Sequence, residues 1–347
     1  MKKELAKLSI WYQKNKRDLP WRKDNNPYHI WISEIMLQQT RIETVIPYYE
    51  RFITFLPTIH DLATIDEEKL LKLWEGLGYY SRAKNLKKTA QIIEQEYQGK
   101  FPTEYVEILK LPGIGEYTAS AISSICFNQK EVTIDGNVLR VFTRFFNDKR
   151  NIDEPKVKKE IRHYLMQVIP MDAGDFNQGM MELGETICLP KGTPKCLQCP
   201  LNKDCLSYKK NTYLSLPVKK KKSTKKEELY TVLLYQYQNK YALYQRKEES
   251  LLQNLWSFPQ LEGNISKKEI VSYLEKNSIS YKNIQKDINY THIFTHKKWQ
   301  MKSYKIILKT IKNLPYQFYT LKEIETTYAL ASAYKPFFQS LKETDMH

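Results

Sequence analysis

The period of the apolar residues changes once along this chain, across the lysine-rich stretch Pro-Val-Lys-Lys-Lys-Lys-Ser-Thr-Lys-Lys at 217–226. Before it, apolar side chains recur three and four residues apart, as in Leu5, Leu8 and Tyr12, in Leu70, Leu73 and Trp74, and in Ala90, Ile93 and Tyr97. That is the pattern of helices packed by one face. Pro20, Pro27, Pro47, Pro57, Pro102 and Pro112 mark the expected breaks between helices. After the stretch the pattern is that of strands: a Tyr/Leu/Val-rich run within 229–246 that turns at Gln238-Asn239-Lys240, and Met-Lys-Ser-Tyr-Lys-Ile-Ile-Leu at 301–308. Ser266 with Glu269, and Thr320 with Glu323, have the spacing of capping boxes that open two helices. The expected organisation is therefore a mainly α domain over 1–215, a basic linker over 216–227 and a small α+β domain over 228–347. The linker is either a strap across phosphates or a solvated tether.

A length of 347 residues suits two domains, and 41% hydrophobic with 27% charged residues excludes a disordered chain. No apolar run reaches the roughly 18–20 residues of a membrane span. Met1-Lys2-Lys3-Glu4-Leu5 leads into a charged amphipathic pattern without the apolar core of a secretion signal, so a cytoplasmic protein is expected. Lys and Arg number 55 against 39 Asp and Glu, a formal charge of +16, which points to a polyanionic partner and foremost to nucleic acid.

Four of the five cysteines fall in the spacing Cys188-x7-Cys196-x2-Cys199-x5-Cys205. Four thiolates can hold a structural zinc ion or an iron–sulfur cluster; the single Cys-x2-Cys pair and irregular outer gaps favour the cluster. Cys126, alone in an apolar helical stretch, reads as a small buried side chain. Glu34 lies among Trp31, Ile35, Met36 and Leu37. A carboxyl desolvated there would keep its proton near neutrality and serve as a general acid; alternatively Glu34, Gln38 and Arg41 form one wet helix face. In Leu-Pro-Gly-Ile-Gly-Glu-Tyr-Thr-Ala at 111–119, Gly113 and Gly115 permit a tight turn before a helix whose first N–H groups can meet a phosphate. Asp135, in Ile134-Asp135-Gly136-Asn137-Val138, has the position of a helix N-cap, where backbone donors would keep a carboxylate charged and fixed.

Ser33–Thr40 (Ser-Glu-Ile-Met-Leu-Gln-Gln-Thr), Gly76–Tyr80 (Gly-Leu-Gly-Tyr-Tyr), Ile134–Val138 and the glycine hairpin stand in the order of the helix-hairpin-helix DNA glycosylase superfamily. Within it the chain resembles the adenine DNA glycosylases, from Trp21 into the C-terminal domain. The resemblance implies a helical glycosylase domain whose cluster loop at 188–205 holds one 4Fe-4S cluster on Cys188, Cys196, Cys199 and Cys205, followed by a Nudix-like recognition domain. It implies a monofunctional base-excision enzyme that hydrolyses the N-glycosidic bond of adenine opposite 8-oxoguanine or G in double-stranded DNA. The implied protein is a monomer, nucleoid-associated and without a membrane partner. Glu34 would protonate the base, Asp135 would stabilise the sugar cation, Asn137 would orient Asp135 or the water, and Gly113 and Gly115 would grip phosphate. Trp21, Arg22, Leu37, Ile42 and Gln178 match the adenine pocket; Gln39 and Tyr79 match the wedge beside 8-oxoguanine, and Phe294, Thr295 and His296 its recognition loop. Tyr117 stands where the lyases of the superfamily carry a Schiff-base lysine, and a phenol forms no imine.

Three departures accompany the resemblance: the first cysteine gap is x7 in place of x6, Thr295 replaces the usual Ser of Phe-Ser-His, and Asn254 replaces a Gly before Leu255–Pro259. Three other functions fit the sequence less well. An endonuclease III-like lyase conflicts with Tyr117 and with the C-terminal domain. A Nudix hydrolase would need a glutamate array for Mg²⁺; after Gly263 the sequence has Lys267-Lys268-Glu269 and then Glu275, but no such array. A DNA-binding protein without catalysis would have no use for both Glu34 and Asp135.

Overall fold

The computed structural model describes residues 2–220, 224–246, 252–312 and 314–345. Among them the helices, in chain order, are α1 Lys2–Asn15, α2 Pro27–Leu37, α3 Ile42–Phe55, α4 Ile59–Thr64, α5 Glu67–Leu73, α6 Ser81–Tyr97, α7 Tyr105–Lys110, α8 Glu116–Phe127, α9 Gly136–Phe146, α10 Pro155–Val168, α11 Ala173–Thr186, α12 Leu206–Lys209, α13 Lys267–Lys276, α14 Leu321–Thr326 and α15 Lys335–Asp345. The strands are β1 Lys226–Tyr237, β2 Lys240–Gln245, β3 Trp256–Ser257, β4 Gln260–Glu262, β5 Tyr281–Ile293, β6 Lys297–Leu308 and β7 Gln317–Thr320. The chain forms two compact units, Met1–Ile65 with Lys84–Lys221, and Asp66–Ala83 with Lys222–His347.

In the first unit α11 packs against α1, α8 and α9. Val138 and Phe142 of α9, Ile161 and Leu165 of α10, and Phe176, Met180 and Leu183 of α11 share one buried core with Leu8 of α1. This follows from the apolar face that each helix repeats at three- and four-residue spacing. Pro47 was expected to break a helix, but it lies inside α3. Proline forfeits one intrahelical hydrogen bond there, and the buried face Val45, Tyr49 and Phe52 carries the helix through. The lysine-rich stretch begins docked on this unit. The carbonyl of Leu216 accepts from Arg144 Nε (3.1 Å), that of Val218 accepts from Ile152 N–H (3.0 Å), and Lys220 N–H donates to Asp153 Oδ2 (2.8 Å). Residues 221–223 lie outside those described.

The second unit is built on a sheet of order β3-β2-β1-β6-β5, with β4 also on β1 and β7 also on β2. The hairpin β1–β2 turns after the pair Tyr237 and Lys240, as the sequence indicated. Strands β1 and β6 pair in parallel, and the other pairs are antiparallel. Ile270 and Leu274 of α13 close a core over Leu233, Tyr235, Ala242 and Ile306. Both anticipated capping boxes form, Ser266 with Glu269 and Thr320 with Glu323. The segment 66–83, read from sequence as part of the helical domain, packs with this sheet. Lys72 Nζ donates to the carbonyls of Ile324 (3.2 Å) and Tyr328 (2.9 Å), and Trp256 Nε1 donates to Glu68 Oε1 (2.8 Å).

Candidate active site

Helix α2 opens at Pro27, with the Asn26 side chain accepting from Tyr28 N–H. It is buried from Ile30 to Met36, so a helix apolar nearly all round carries Glu34 inward. Glu34 is only 6% exposed, which removes the wet-face alternative, and its Oε2 meets no hydrogen-bond partner among the described residues. Burial raises its carboxyl from 4.5 to about 7; the Tyr117 hydroxyl and Arg22 oppose the rise and Asp135 adds to it. The Tyr117 hydroxyl itself donates to Met181 Sδ (3.2 Å).

Asp135 is the N-cap of α9, as its position after an apolar segment suggested. Its Oδ1 accepts from Val138 N–H (2.7 Å) and its Oδ2 from Asn137 Nδ2 (2.8 Å). Burial pushes the Asp135 carboxyl up, and these donors pull it back. Asn137 Oδ1 in turn accepts from Arg140 Nη2 (2.7 Å), and Arg140 Nε donates to the carbonyl of Cys188 (2.7 Å). Asn137 is thereby held on both sides of its carboxamide.

A cavity of about 810 Å³ in the helical unit brings together Glu34, Asp135, Asn137 and Tyr117 with Trp21, Arg22, Leu37, Gln39, Ile42 and Gln178. Trp21 lies edge-on to Tyr49, with ring centroids 5.4 Å apart. Gln39 takes a φ of +60°, a backbone state costly for a side chain with a Cβ and frequent at functional sites. The sequence reading did not single out Arg17, Met181, Glu182 or Glu185, which also line the cavity. Glu182 is fully buried and accepts from Arg17 Nε (2.6 Å) and Arg22 Nη2 (2.9 Å). Burial alone would raise its carboxyl, but the two arginines more than offset that and hold it below the usual range. The signal was present: residues 178, 181, 182 and 185 follow the i, i+3, i+4, i+7 rule and share one face of α11. Among the described residues, no lysine lines the cavity.

Gly113 takes a φ of +75°, and a Cβ there would stand 2.7 Å from that of Asn85, so the hairpin requires glycine. Gly115 is the N-cap of α8 and supplies no capping side chain, which leaves the first N–H groups of α8 without a side-chain partner. The four cysteines of 188–205 form no disulfide with one another and line one cavity together with Ile187, Pro194, Tyr208 and Tyr213, and Arg144 Nη1 donates to Cys188 Sγ (3.3 Å). Among the described residues no three His, Cys, Asp or Glu side chains are gathered as ligands of a single ion. Four soft sulfur donors around a shared space fit an iron–sulfur cluster. Gly192, within the longer first gap, turns at a φ of +71°.

The remaining candidates lie in the second unit. Tyr79 has a φ of +48°, is 47% exposed, and its hydroxyl is 2.6 Å from Thr295 Oγ1. Phe294 stacks edgewise on His292 and Trp299, so it anchors the turn, while Thr295 and His296 are exposed. Asn254, where the resemblance has Gly, adopts a φ of +67°, which asparagine tolerates better than most residues.

Residues 32–169 match the model of the HhH-GPD superfamily base excision DNA repair proteins, and residues 230–340 match the NUDIX domain. The chain is 39% identical over 289 residues to the adenine DNA glycosylase of Buchnera aphidicola subsp. Schizaphis graminum, covering 82% of each chain. The chain belongs to the adenine DNA glycosylase family. It is 41% identical over 208 residues to the human adenine DNA glycosylase, covering 57% of this chain and 38% of that one. A solved thermostable thymine-DNA glycosylase superposes with a TM-score of 0.54 at 30% identity, over 59% of this chain and 95% of that one. No helix among the described residues is long and apolar enough to cross a membrane.

Proposed function

We propose that this chain removes adenine paired with 8-oxoguanine, or with G, from duplex DNA and leaves an abasic site. The observation that carries the reading is the pairing of Glu34 and Asp135 in one cavity whose remaining wall residue at the hairpin is Tyr117. The flipped adenine enters that cavity. Glu34, protonated near neutrality because it is buried, gives its proton to N7, so the C1′–N9 electron pair leaves with a base that is no longer an anion. Asp135, fixed by Val138 and Asn137, faces the cation that forms at C1′. Water then adds to C1′ and returns a proton to Glu34. This is the division of labour between two carboxyls known from glycoside hydrolysis. With Tyr117 in place and no lysine on the described cavity wall, no imine forms and the strand stays intact.

The helical unit would supply the chemistry and the sheet unit the reading of the opposite base, through Tyr79, Phe294, Thr295 and His296. Gly113 and Gly115 would let the hairpin and the uncapped start of α8 meet a phosphate, a contact that carries no sequence information. Cys188, Cys196, Cys199 and Cys205 would hold one 4Fe-4S cluster, which when bound cross-links the loop 188–205. The test is adenine release in a single turnover from an 8-oxoguanine:A duplex. Glu34→Gln and Asp135→Asn should each bind the duplex and lose release by roughly 10²–10⁴-fold. Wild-type rates in either variant would remove that residue from the mechanism.

A further inference from the structure

The reaction as proposed makes no use of Glu185, which lines the same cavity. It stands in the last turn of α11, a turn without a basic residue, where the helix carbonyls disfavour a carboxylate. Its neighbour Glu182 is neutralised by Arg17 and Arg22. Glu185 is exposed, and its Oε1 accepts from Asn137 Nδ2 (3.1 Å). The same nitrogen donates to Asp135 Oδ2 (2.8 Å), so the two protons of one amide serve two carboxylates. Arg140 Nη2 on Asn137 Oδ1 (2.7 Å) prevents the carboxamide from turning over. Glu185 is thus held one amide group away from Asp135. Two like charges so placed repel, unless a positive charge arrives beside them.

We infer that Glu185 is a third carboxylate of the reaction, whose charge adds to that of Asp135 in stabilising the sugar cation, with Asn137 as the spacer that sets their separation. The chain carries +16 overall, yet its cavity wall, with Glu34 holding its proton, still presents Glu43, Asp135, Glu182 and Glu185 against Arg17, Arg22 and Arg41. A basic exterior attracts DNA, and an acidic cavity favours a cationic transition state over a neutral ground state. Glu185 lies at the exposed end of that wall, so its contribution weakens as salt rises.

The inference rests on the glycosylase reading, and the experiment separates the two. Binding is measured to duplexes with 8-oxoguanine opposite either a positively charged pyrrolidine abasic analogue or the neutral tetrahydrofuran analogue, together with single-turnover adenine release. Glu185→Gln keeps the shape and the acceptor for Asn137 but removes the charge, whereas Glu185→Ala removes both. Glu185→Gln should lose about three- to tenfold in pyrrolidine affinity and in release rate, with tetrahydrofuran affinity unchanged or higher. If Glu185→Gln matches wild type on both duplexes, the charge does nothing and the inference is wrong, whether or not Glu185→Ala falls. Equal losses on the two duplexes also overturn it, because a general binding defect does not distinguish a cation. If the wild type releases no adenine and does not prefer the cationic analogue, the glycosylase reading fails and this inference falls with it.

Discussion

Replacing Glu34 by Gln nearly preserves the shape of the site and removes one ionisation. In the unfolded chain the carboxyl titrates at its ordinary 4.5; in the folded chain burial, helped by Asp135 and opposed by Tyr117 and Arg22, moves it to about 7. Between those values the unfolded chain has released the proton and the folded chain has kept it. The folded state therefore loses stability as pH rises through the window, by about 1.4 kcal/mol per pH unit. The full loss, about 3 kcal/mol, is present above pH ~7 and absent below pH ~4.5. Gln does not titrate. Urea unfolding of both proteins at pH 5 and pH 8 should therefore show the variant gaining about 2–3 kcal/mol on the wild type between the two conditions. The same variant should release almost no adenine, which is stability obtained at the expense of activity. A stability gap that is equal at both pH values would mean that Glu34 is not displaced. A variant that instead loses ground to the wild type between pH 5 and pH 8 would mean that the fold favours the carboxylate, and the general-acid assignment would lose its basis.

Tyr79→Phe removes the 2.6 Å hydrogen bond to Thr295 and should cut the preference for 8-oxoguanine over G opposite adenine about two- to fivefold, read as the ratio of single-turnover rates on the two duplexes. A second pocket of about 230 Å³, lined by Lys158, Lys159 and Arg162 on α10, shares Tyr117 with the cavity of Glu34 and Asp135. Converting Lys158 and Lys159 to Ala should lower the slope of log affinity against log salt by nearly two, as expected if each meets a phosphate; an unchanged slope would place both lysines off the DNA. Gly113→Ala, forced into a positive φ against Asn85, should destabilise the fold by roughly 1–3 kcal/mol in denaturant titrations and weaken binding to undamaged duplex.

The parts of the site that depend on local chemistry were legible in the sequence. Asp135 caps α9 because a short acid after an apolar segment does so in almost any context, and Gly113 marks a backbone state that only glycine takes without strain. Glu34 was readable from its apolar neighbours, but the choice between a buried acid and a wet helix face depended on what α2 packs against. Glu182 and Glu185 were not singled out, although their spacing shows a shared face, because that face becomes a cavity wall only when α11 packs on α8 and α9. Strand β5 was not picked out from its exposed, mostly polar pattern; it is a strand because β6 offers it a ladder, and β6 in turn pairs in parallel with a strand some 70 residues earlier. The segment 66–83 has a helical period, and nothing in that period shows that Lys72 and Glu68 find their partners in the sheet unit.

The most direct test of the account is a single-turnover reaction of the full chain on a duplex with one 8-oxoguanine:A pair, divided and analysed with and without hot alkali. Free adenine is expected, with an intact strand that breaks at the adenine position only after alkali. Strand breakage without alkali would mean a lyase and contradict the reading of Tyr117. A duplex that is bound, with the adenine still attached, would contradict the roles of Glu34 and Asp135.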